Sequence, residues 1–167
     1  IDAFGETVVP NGVSNLIAAV AGDQHSLALR ANGTVMAWGR NDFGQANVPA
    51  DLTNVVAISA RGYSSLAVRS DGTIVRWGSA TNTVIPPDLT NAIAIGAGTE
   101  HYLALLSDRT VVGWGDTNKL GFPLGLTNVI ELSAGNFHSV ALASRGPAPG
   151  TNIVLVWGQT NGTLSLI

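Results

Sequence analysis

The chain has 167 residues, of which 46% are hydrophobic and 11% charged, with a formal net charge of −3 and no cysteine. That length suits a single domain that removes about 70% of its unfolded surface from water. One lysine and seven scattered arginines offer no basic stripe for nucleic acid. No apolar run approaches the roughly 18 residues of a membrane-spanning helix, and without cysteine there are no disulfides or thiolate zinc sites.

From the N-terminus the elements repeat. The chain begins at Ile1 rather than methionine, which reads as a processed product, a cut fragment or a segment of something longer. IDAFG reads as the end of one blade, and Phe4-Gly5 as a weakened Trp-Gly pair. ALRANGTVMAWGRNDFGQ, from Ala28, reads as a strand, an Asn32-Gly33 turn, a strand ending in Trp38-Gly39, and a polar loop. In the second unit NVVAISA (54–60) is small and apolar, suited to a strand buried on both faces, and SLAVR and TIVRWG flank Asp71-Gly72. Asn-Gly and Asp-Gly favour the type I′ hairpin turn, whose two central residues take positive φ. The third unit has Asp108-Arg109 there, so either Arg109 takes the left-handed conformation or the turn changes. In the fourth, SRGPAPGTN (144–152) widens the hairpin into a loop, and the final TLSLI reads as a first strand of another blade.

Three markers keep one period. Trp38-Gly39, Trp77-Gly78, Trp114-Gly115 and Trp157-Gly158 are spaced 39, 37 and 43 residues apart. Pro10, Pro49, Pro86 and Pro123 are spaced 39, 37 and 37, each expected at an edge strand or strand start because it cannot donate to a ladder. Triplets such as Leu52-Thr53-Asn54 and Leu89-Thr90-Asn91 precede each apolar strand. No segment has a 3.6-residue apolar period, so helices should be few.

Units of 37–43 residues with three or four strands and a terminal tryptophan describe β-propeller blades in an all-β fold. Residues 1–167 form one repeat domain, with units 6–39, 40–78, 79–115 and 116–158 and partial strands at 1–5 and 159–167. A blade cannot cover its own two faces, so neighbours must stack, with the indoles of Trp38, Trp77, Trp114 and Trp157 filling the gaps. Four complete repeats fit a partial propeller, an open arc, or a small ring. Exposed edges favour association, as a homo-oligomer or with the remaining blades of a longer chain.

AGDQHSLALRANGTVMAWGRNDFGQ (21–45) resembles the repeat of the regulator-of-chromosome-condensation propeller family. It is most similar to the compact bacterial form found in the secreted propeller inhibitor of class A β-lactamases. The resemblance runs from Phe4 to Gly158 and implies propeller faces used for protein contacts. Family members exchange nucleotide on small GTPases, bind histones, sense ultraviolet light or inhibit enzymes, so it implies no single activity. The ultraviolet-sensing branch depends on extra clustered tryptophans, whereas here all four sit at the repeat position. The family commonly closes seven blades.

His25, His101 and His138 share one repeat slot, filled by Ser64 in the second unit. A residue written once per blade serves the blade, and hydrogen bonding of loop backbone near the strand start is its expected role. A ring of metal ligands would need blades converging on a narrow axis. Asp51 and Asp88 share another slot, Asp71 and Asp108 belong to turns, and no nucleophile elbow, phosphate loop or zinc-protease motif occurs. Asn32-Gly33-Thr34 and Asn161-Gly162-Thr163 fit glycosylation formally, the first more simply a hairpin turn. Neither a catalytic group, a cofactor nor a metal is expected.

Function is expected where the copies differ, on two loops emerging at one end. The tips after Ala-Gly offer Asp23, Gln24, Gly62, Tyr63, Thr99, Glu100, Asn136 and Phe137. The stretches after Trp-Gly offer Asn41, Asp42, Phe43, Thr81, Asn82, Asp116, Thr117, Asn118 and Lys119. Aromatic anchors among polar residues have the chemistry of a protein-binding patch, although Phe43 and Phe137 also suit packing against the next blade. The expected function is a non-enzymatic protein-interaction module. The alternative is a self-assembling structural segment of a larger bacterial surface protein, ring or filament; glycan binding or an enzyme is less favoured. Scarce lysine with abundant Asn, Thr, Gly and Ser suits an exported bacterial protein, extracellular or on the cell surface.

Overall fold

The computed structural model describes residues 3–79, 83–116, 120, 126–144, 152–158 and 165–166. Among them no helix occurs, and each repeat forms its own antiparallel sheet. The first sheet orders β1 (Leu16–Ala21), β2 (His25–Arg30) and β3 (Val35–Gly39). The second holds β4 (Val55–Arg61), β5 (Ser64–Arg69) and β6 (Ile74–Gly78), and the third β7 (Ala92–Ala97), β8 (His101–Leu106) and β9 (Val111–Gly115). The fourth has four strands: β10 (Val129–Ala134), β11 (His138–Ser144), β12 (Asn152–Gly158) and β13 (Ser165–Leu166). The first strands β1, β4, β7 and β10 pack in succession, giving part of a propeller.

The core lies between sheets rather than within them. Leu27 and Leu29 of the first sheet pack with Val55, Ile58 and Trp77 of the second. Leu66 and Val68 of the second meet Ala92, Ile95, Tyr102 and Trp114 of the third, and Leu103 and Leu105 meet Val129, Ala141 and Leu155 of the fourth. Trp77 and Trp114 are buried as wedges. An indole hides 150–250 Å², on the order of 4–6 kcal/mol before entropy is counted. The side chain of Trp157 lies outside the described set.

The strand buried throughout is the middle one, not NVVAISA. Leu27, Leu66 and Leu103 are fully covered: β2, β5 and β8 are each paired on both edges, and β5 and β8 also lie between two neighbouring sheets. Each first strand instead carries a bulge, at Ile17, Val56, Ile93 and Ile130, and exposes that side chain.

The hairpins also differ from the expected type I′ turn. Gly33 and Gly72 take positive φ, of 77° and 83°, but Asn32 and Asp71 do not. The Gly33 N–H donates to the Arg30 carbonyl at 2.9 Å and the Arg30 N–H to the Thr34 carbonyl at 2.9 Å. This is a three-residue tip, a type I turn followed by a left-handed residue. Asn32, Asp71 and Asp108 hold it with Oδ1, which accepts the Thr34, Thr73 and Thr110 hydroxyls at 2.7, 2.7 and 2.6 Å. Arg109 takes the glycine position at φ 68°.

Each tip docks on the following sheet. The N–H groups of Val55, Ala92 and Val129 donate to the carbonyls of Gly33, Gly72 and Arg109 at 3.0, 3.2 and 3.0 Å. The repeated asparagine before the first strand is left-handed in Asn15, Asn54 and Asn128, with φ 56°, 55° and 58°, a conformation asparagine tolerates. The repeated proline opens a turn instead of a strand: the Leu52 and Leu89 N–H groups donate to the Pro49 and Pro86 carbonyls.

Both chain ends correct the sequence reading. Within TLSLI, Ser165 and Leu166 pair with Val156 and Leu155 as the outer strand of the fourth sheet, not the first strand of another. Of IDAFG, residues 3–5 form bends rather than a strand. Phe4-Gly5 is a copy of Phe43-Gly44, one 39-residue period earlier, and not of Trp-Gly. Gly5 and Gly44 share φ 74° and 75°. The Phe4 and Phe43 N–H groups donate to the side chains of Glu6 and Gln45 at 2.9 and 3.0 Å.

Candidate functional site

The glycine of Trp-Gly brings the two variable loops together. The N–H groups of Arg40, Ser79 and Asp116 donate to the carbonyls of Gln24, Tyr63 and Glu100, each at 2.8 Å. A Cβ on Gly39, Gly78 or Gly115 would stand 2.7, 2.2 or 2.3 Å from those oxygens, at φ +96°, +97° and +109°. Only glycine meets both demands. The tip joins the first and second strands of its sheet, and the stretch after Trp-Gly is stapled to it.

The most developed group lies where the first two sheets meet. The Arg40 guanidinium sits 4.8 Å from the Phe4 ring centre, 5.1 Å from Tyr63 and 5.8 Å from Phe43. Its Nε donates to Asp42 at 2.6 Å, and Nη1 to Gln24 Oε1 and, at 3.4 Å, to the Tyr63 hydroxyl. The Phe43 and Tyr63 rings are 4.7 Å apart. Phe43 thus packs on the second sheet while 48% exposed, and Phe4 is 42% exposed.

A second group links tips across the sheets. The Asp23 N–H donates to the Gly62 carbonyl, and Asp23 Oδ1 accepts the Gly62 N–H, both at 3.2 Å. Arg61 lies 4.0 Å from Asp23 and donates through Nε to Asn136 at 2.8 Å, while the Thr99 hydroxyl donates to Asn136 at 2.8 Å. Asp23, Tyr63, Ser79, Thr99 and Glu100 line a recess of about 220 Å³. Phe137, beside Asn136, is 56% exposed.

Asn41 is consumed within its own loop, by Asn47 at 2.7 Å and the Ala46 N–H at 2.9 Å. Thr81, Asn82, Thr117, Asn118 and Lys119 lie outside the described residues, and the Asp116 N–H ties its loop to Glu100. Sequence reasoning passed over Phe4, Arg40 and Arg61. Arg40 and Arg61 each hold a repeat position that other units give to a different residue, the same signal that selected Tyr63.

The histidines join blades rather than loop backbone. His25 Nε2 lies 2.9 Å from Ser65 Oγ, and His101 Nε2 2.9 Å from Ser139 Oγ, both buried. The Ser65 hydroxyl donates to the Gln45 carbonyl at 2.8 Å, so its oxygen must accept from His25. His25 therefore carries its proton on Nε2, leaving Nδ1 buried without a partner. The same carbonyl accepts the Trp77 indole N–H at 2.9 Å, and the Glu6 carbonyl serves Ser26 and Trp38 one repeat earlier. Burial pushes the His25 pKa down, opposed by the smaller pull of Asp23. His138, in the last sheet, is exposed. Among the described residues no three His, Cys, Asp or Glu side chains gather around a metal position.

The second unit replaces this linkage as a set. Ser64 stands in the histidine slot, the Tyr102 hydroxyl reaches it at 3.1 Å, and Arg61 occupies the position of Gly22. A Cβ at Gly22 or Gly98 would fall 2.1 or 2.2 Å from the histidine ring, so a side chain fits at that position only where the ring is absent.

Residues 17–45 and 92–121 match the model of the Regulator of chromosome condensation (RCC1) repeat. No curated protein sequence matches the chain significantly. Among solved structures, human WBSCR16 superposes with a TM-score of 0.71 at 19% identity, over 90% of this chain and 49% of that one. The CR4 receptor kinase ectodomain of Physcomitrella patens gives 0.71 at 26% identity, over 90% and 42%. Prp20p of Saccharomyces cerevisiae, described with its binding to Gsp1p and histones, gives 0.66 at 21%, over 93% and 50%. The chain thus spans about half the length of the structures it resembles. Two segments of the chain thus match the RCC1 repeat, and its four sheets are arranged as part of a β-propeller.

Proposed function

We propose that the loop end of this partial propeller is a non-catalytic protein-binding surface, anchored on Phe4, Phe43 and Tyr63 around Arg40. The carrying observation is the cluster itself. Three rings, Phe4 from one repeat and Phe43 and Tyr63 from another, are held about one guanidinium, with two of them more than 40% exposed. Aromatic residues and arginine dominate binding hot spots, and rings already immobilised lose little freedom on association. Gln24, Asp42, Asp23 and Glu100 supply the polar rim typical of interfaces. RCC1-type repeats are typically protein-interaction modules, and Prp20p binds Gsp1p and histones. Those partners are its own, and only the use of a propeller for protein contact is carried over.

A photo-crosslinking residue at Asp42 captures the partner for identification. Phe43→Ala and Tyr63→Ala then each weaken that partner by about 1 kcal/mol or more, roughly fivefold, with the circular dichroism of the fold unchanged. Undiminished affinity in the folded double variant removes this surface from consideration.

A further inference from the structure

We propose that Asn32-Gly33 is a shielded modification site. Spontaneous deamidation of Asn32 is held off while the first hairpin tip stays docked on the second sheet, and proceeds once the tip lets go. Asn11-Gly12, the same dipeptide in an open turn, reacts in the folded chain. This inference is independent of the loop-end reading.

In an Asn-Gly step the main chain readily attacks the preceding side chain, because glycine has no Cβ to obstruct the approach. The Gly33 nitrogen gives its proton to solvent base and bonds to Asn32 Cγ, and Nδ2 departs as ammonia. Water then opens the succinimide at either carbonyl, leaving aspartate or isoaspartate. The leaving group is available: Asn32 is exposed, and its recorded bonds use Oδ1 alone. The nucleophile is not. The Gly33 N–H donates to the Arg30 carbonyl at 2.9 Å, which holds its proton and turns the nitrogen away from the side chain. Asn32 Oδ1 accepts the Thr34 N–H at 3.1 Å and the Thr34 hydroxyl at 2.7 Å. Those two donors polarise the amide and by themselves favour attack, but attack cannot begin until Gly33 leaves Arg30. Docking opposes that release. The Gly33 carbonyl accepts the Val55 N–H at 3.0 Å, and a Cβ at Gly33 would stand 3.1 Å from Asn54 Cα. Local opening of the tip therefore controls the reaction.

Gly12 shares the left-handed backbone, with φ 80° against 77° at Gly33, but not the restraint. Among the described residues no backbone carbonyl holds the Gly12 N–H, and a Cβ there would meet nothing within 4 Å. Asn11 and Gly12 are both exposed. Arg30 reaches only the Gly12 carbonyl, at 3.1 Å, which leaves the nitrogen free to react.

The two products at residue 32 have different consequences. Aspartate reproduces the acceptor of the second and third tips, where Asp71 and Asp108 hold Thr73 and Thr110 at 2.7 and 2.6 Å. Isoaspartate adds a methylene to the main chain of a three-residue tip, immediately before the glycine whose carbonyl must reach Val55. A tip carrying it cannot redock, so a passing opening of the first junction becomes permanent.

The test compares the folded chain with synthetic peptides of residues 28–38 and 7–17 at mildly alkaline pH, by peptide mapping that separates aspartate from isoaspartate. Asn32 is expected to convert roughly tenfold or more slowly in the chain than in its peptide, and Asn11 within about threefold of its own. Urea below the unfolding transition should speed Asn32 and leave Asn11 unchanged. Chain deamidated in urea and refolded should exchange the Val55 amide roughly tenfold faster in its isoaspartate form, whereas Asn32→Asp keeps the parental rate. Asn32 reacting as fast in the chain as in the peptide overturns the proposal. So does an Asn11 as slow as Asn32, or an isoaspartate form in which Val55 stays protected.

Discussion

A single methyl group at Gly22 tests how neighbouring blades are held together. An alanine Cβ there would stand 2.1 Å from Cε1 and 2.4 Å from Nδ1 of His25, so the imidazole must leave its slot. His25 is 1% exposed, and its bond to Ser65 crosses the junction between the first two sheets. Expelling the ring leaves buried polar atoms unpaired, a cost of about 1–3 kcal/mol. The extra carbon in a filled site adds about 1–3 kcal/mol more. Gly22 does not occupy the left-handed region, so alanine brings no backbone strain of its own. Gly22→Ala should lower stability by about 2–6 kcal/mol, a large share of the 5–15 kcal/mol typical of a domain. Urea unfolding measures this directly. The second unit supplies the control, because Arg61 fills the same position beside Ser64. In a His25→Ser background the methyl has room, and Gly22→Ala should cost less than about 0.5 kcal/mol. Equal costs in the two backgrounds, or a Gly22→Ala variant as stable as the parent, would refute this account of the blade junction.

Acidification should act on the same junction. The folded pKa of His25 lies below its unfolded value of 6.5, so its neutral form favours the fold. That contribution is complete above the unfolded pKa and is lost as pH falls through the folded one, at no more than about 1.4 kcal/mol per pH unit for one proton. Urea midpoints at pH 7.5 and 5.5 should therefore differ more in the parent than in His25→Gln; an unchanged difference counts against the assignment. Gly72→Ala places a Cβ 2.3 Å from the Thr90 carbonyl, whereas Gly33→Ala meets its nearest atoms at 3.1 Å. Both carry about 1–2 kcal/mol of left-handed strain, so urea unfolding should rank Gly72→Ala as the costlier, and the reverse order would contradict tip docking. Arg109→Gly releases that strain at φ 68° against about 0.5–1 kcal/mol of glycine entropy. A rise of about 0.5–1 kcal/mol in stability is expected from the same measurement, and a fall would show that the Arg109 side chain contributes more than its strain.

Much of a blade is legible locally. The Asx-x-Thr spacing, the left-handed Asn of three of the four triplets and the Trp-Gly corner are properties of a few consecutive residues. Errors arose where one local pattern served two geometries. Asp-Gly suits both a type I′ turn and a type I turn with a left-handed third residue, and Phe-Gly looked like Trp-Gly until the Glu6 and Gln45 carbonyls showed the same role. NVVAISA has the composition of a buried strand, but its place at the inner edge and its bulge expose Val56.

The sequence by itself determined the period, the sheet-forming segments and the turns, because those depend on backbone preferences over a few neighbouring residues. Only the tertiary structure decided that Arg40 collects Phe4 and Tyr63, that His25 reaches Ser65, and that Arg61 reaches Asn136. Those partners lie 23 to 75 residues apart. A repeat spacing specifies where a side chain sits within its own blade, whereas the rotation from one blade to the next decides which side chains from different blades meet.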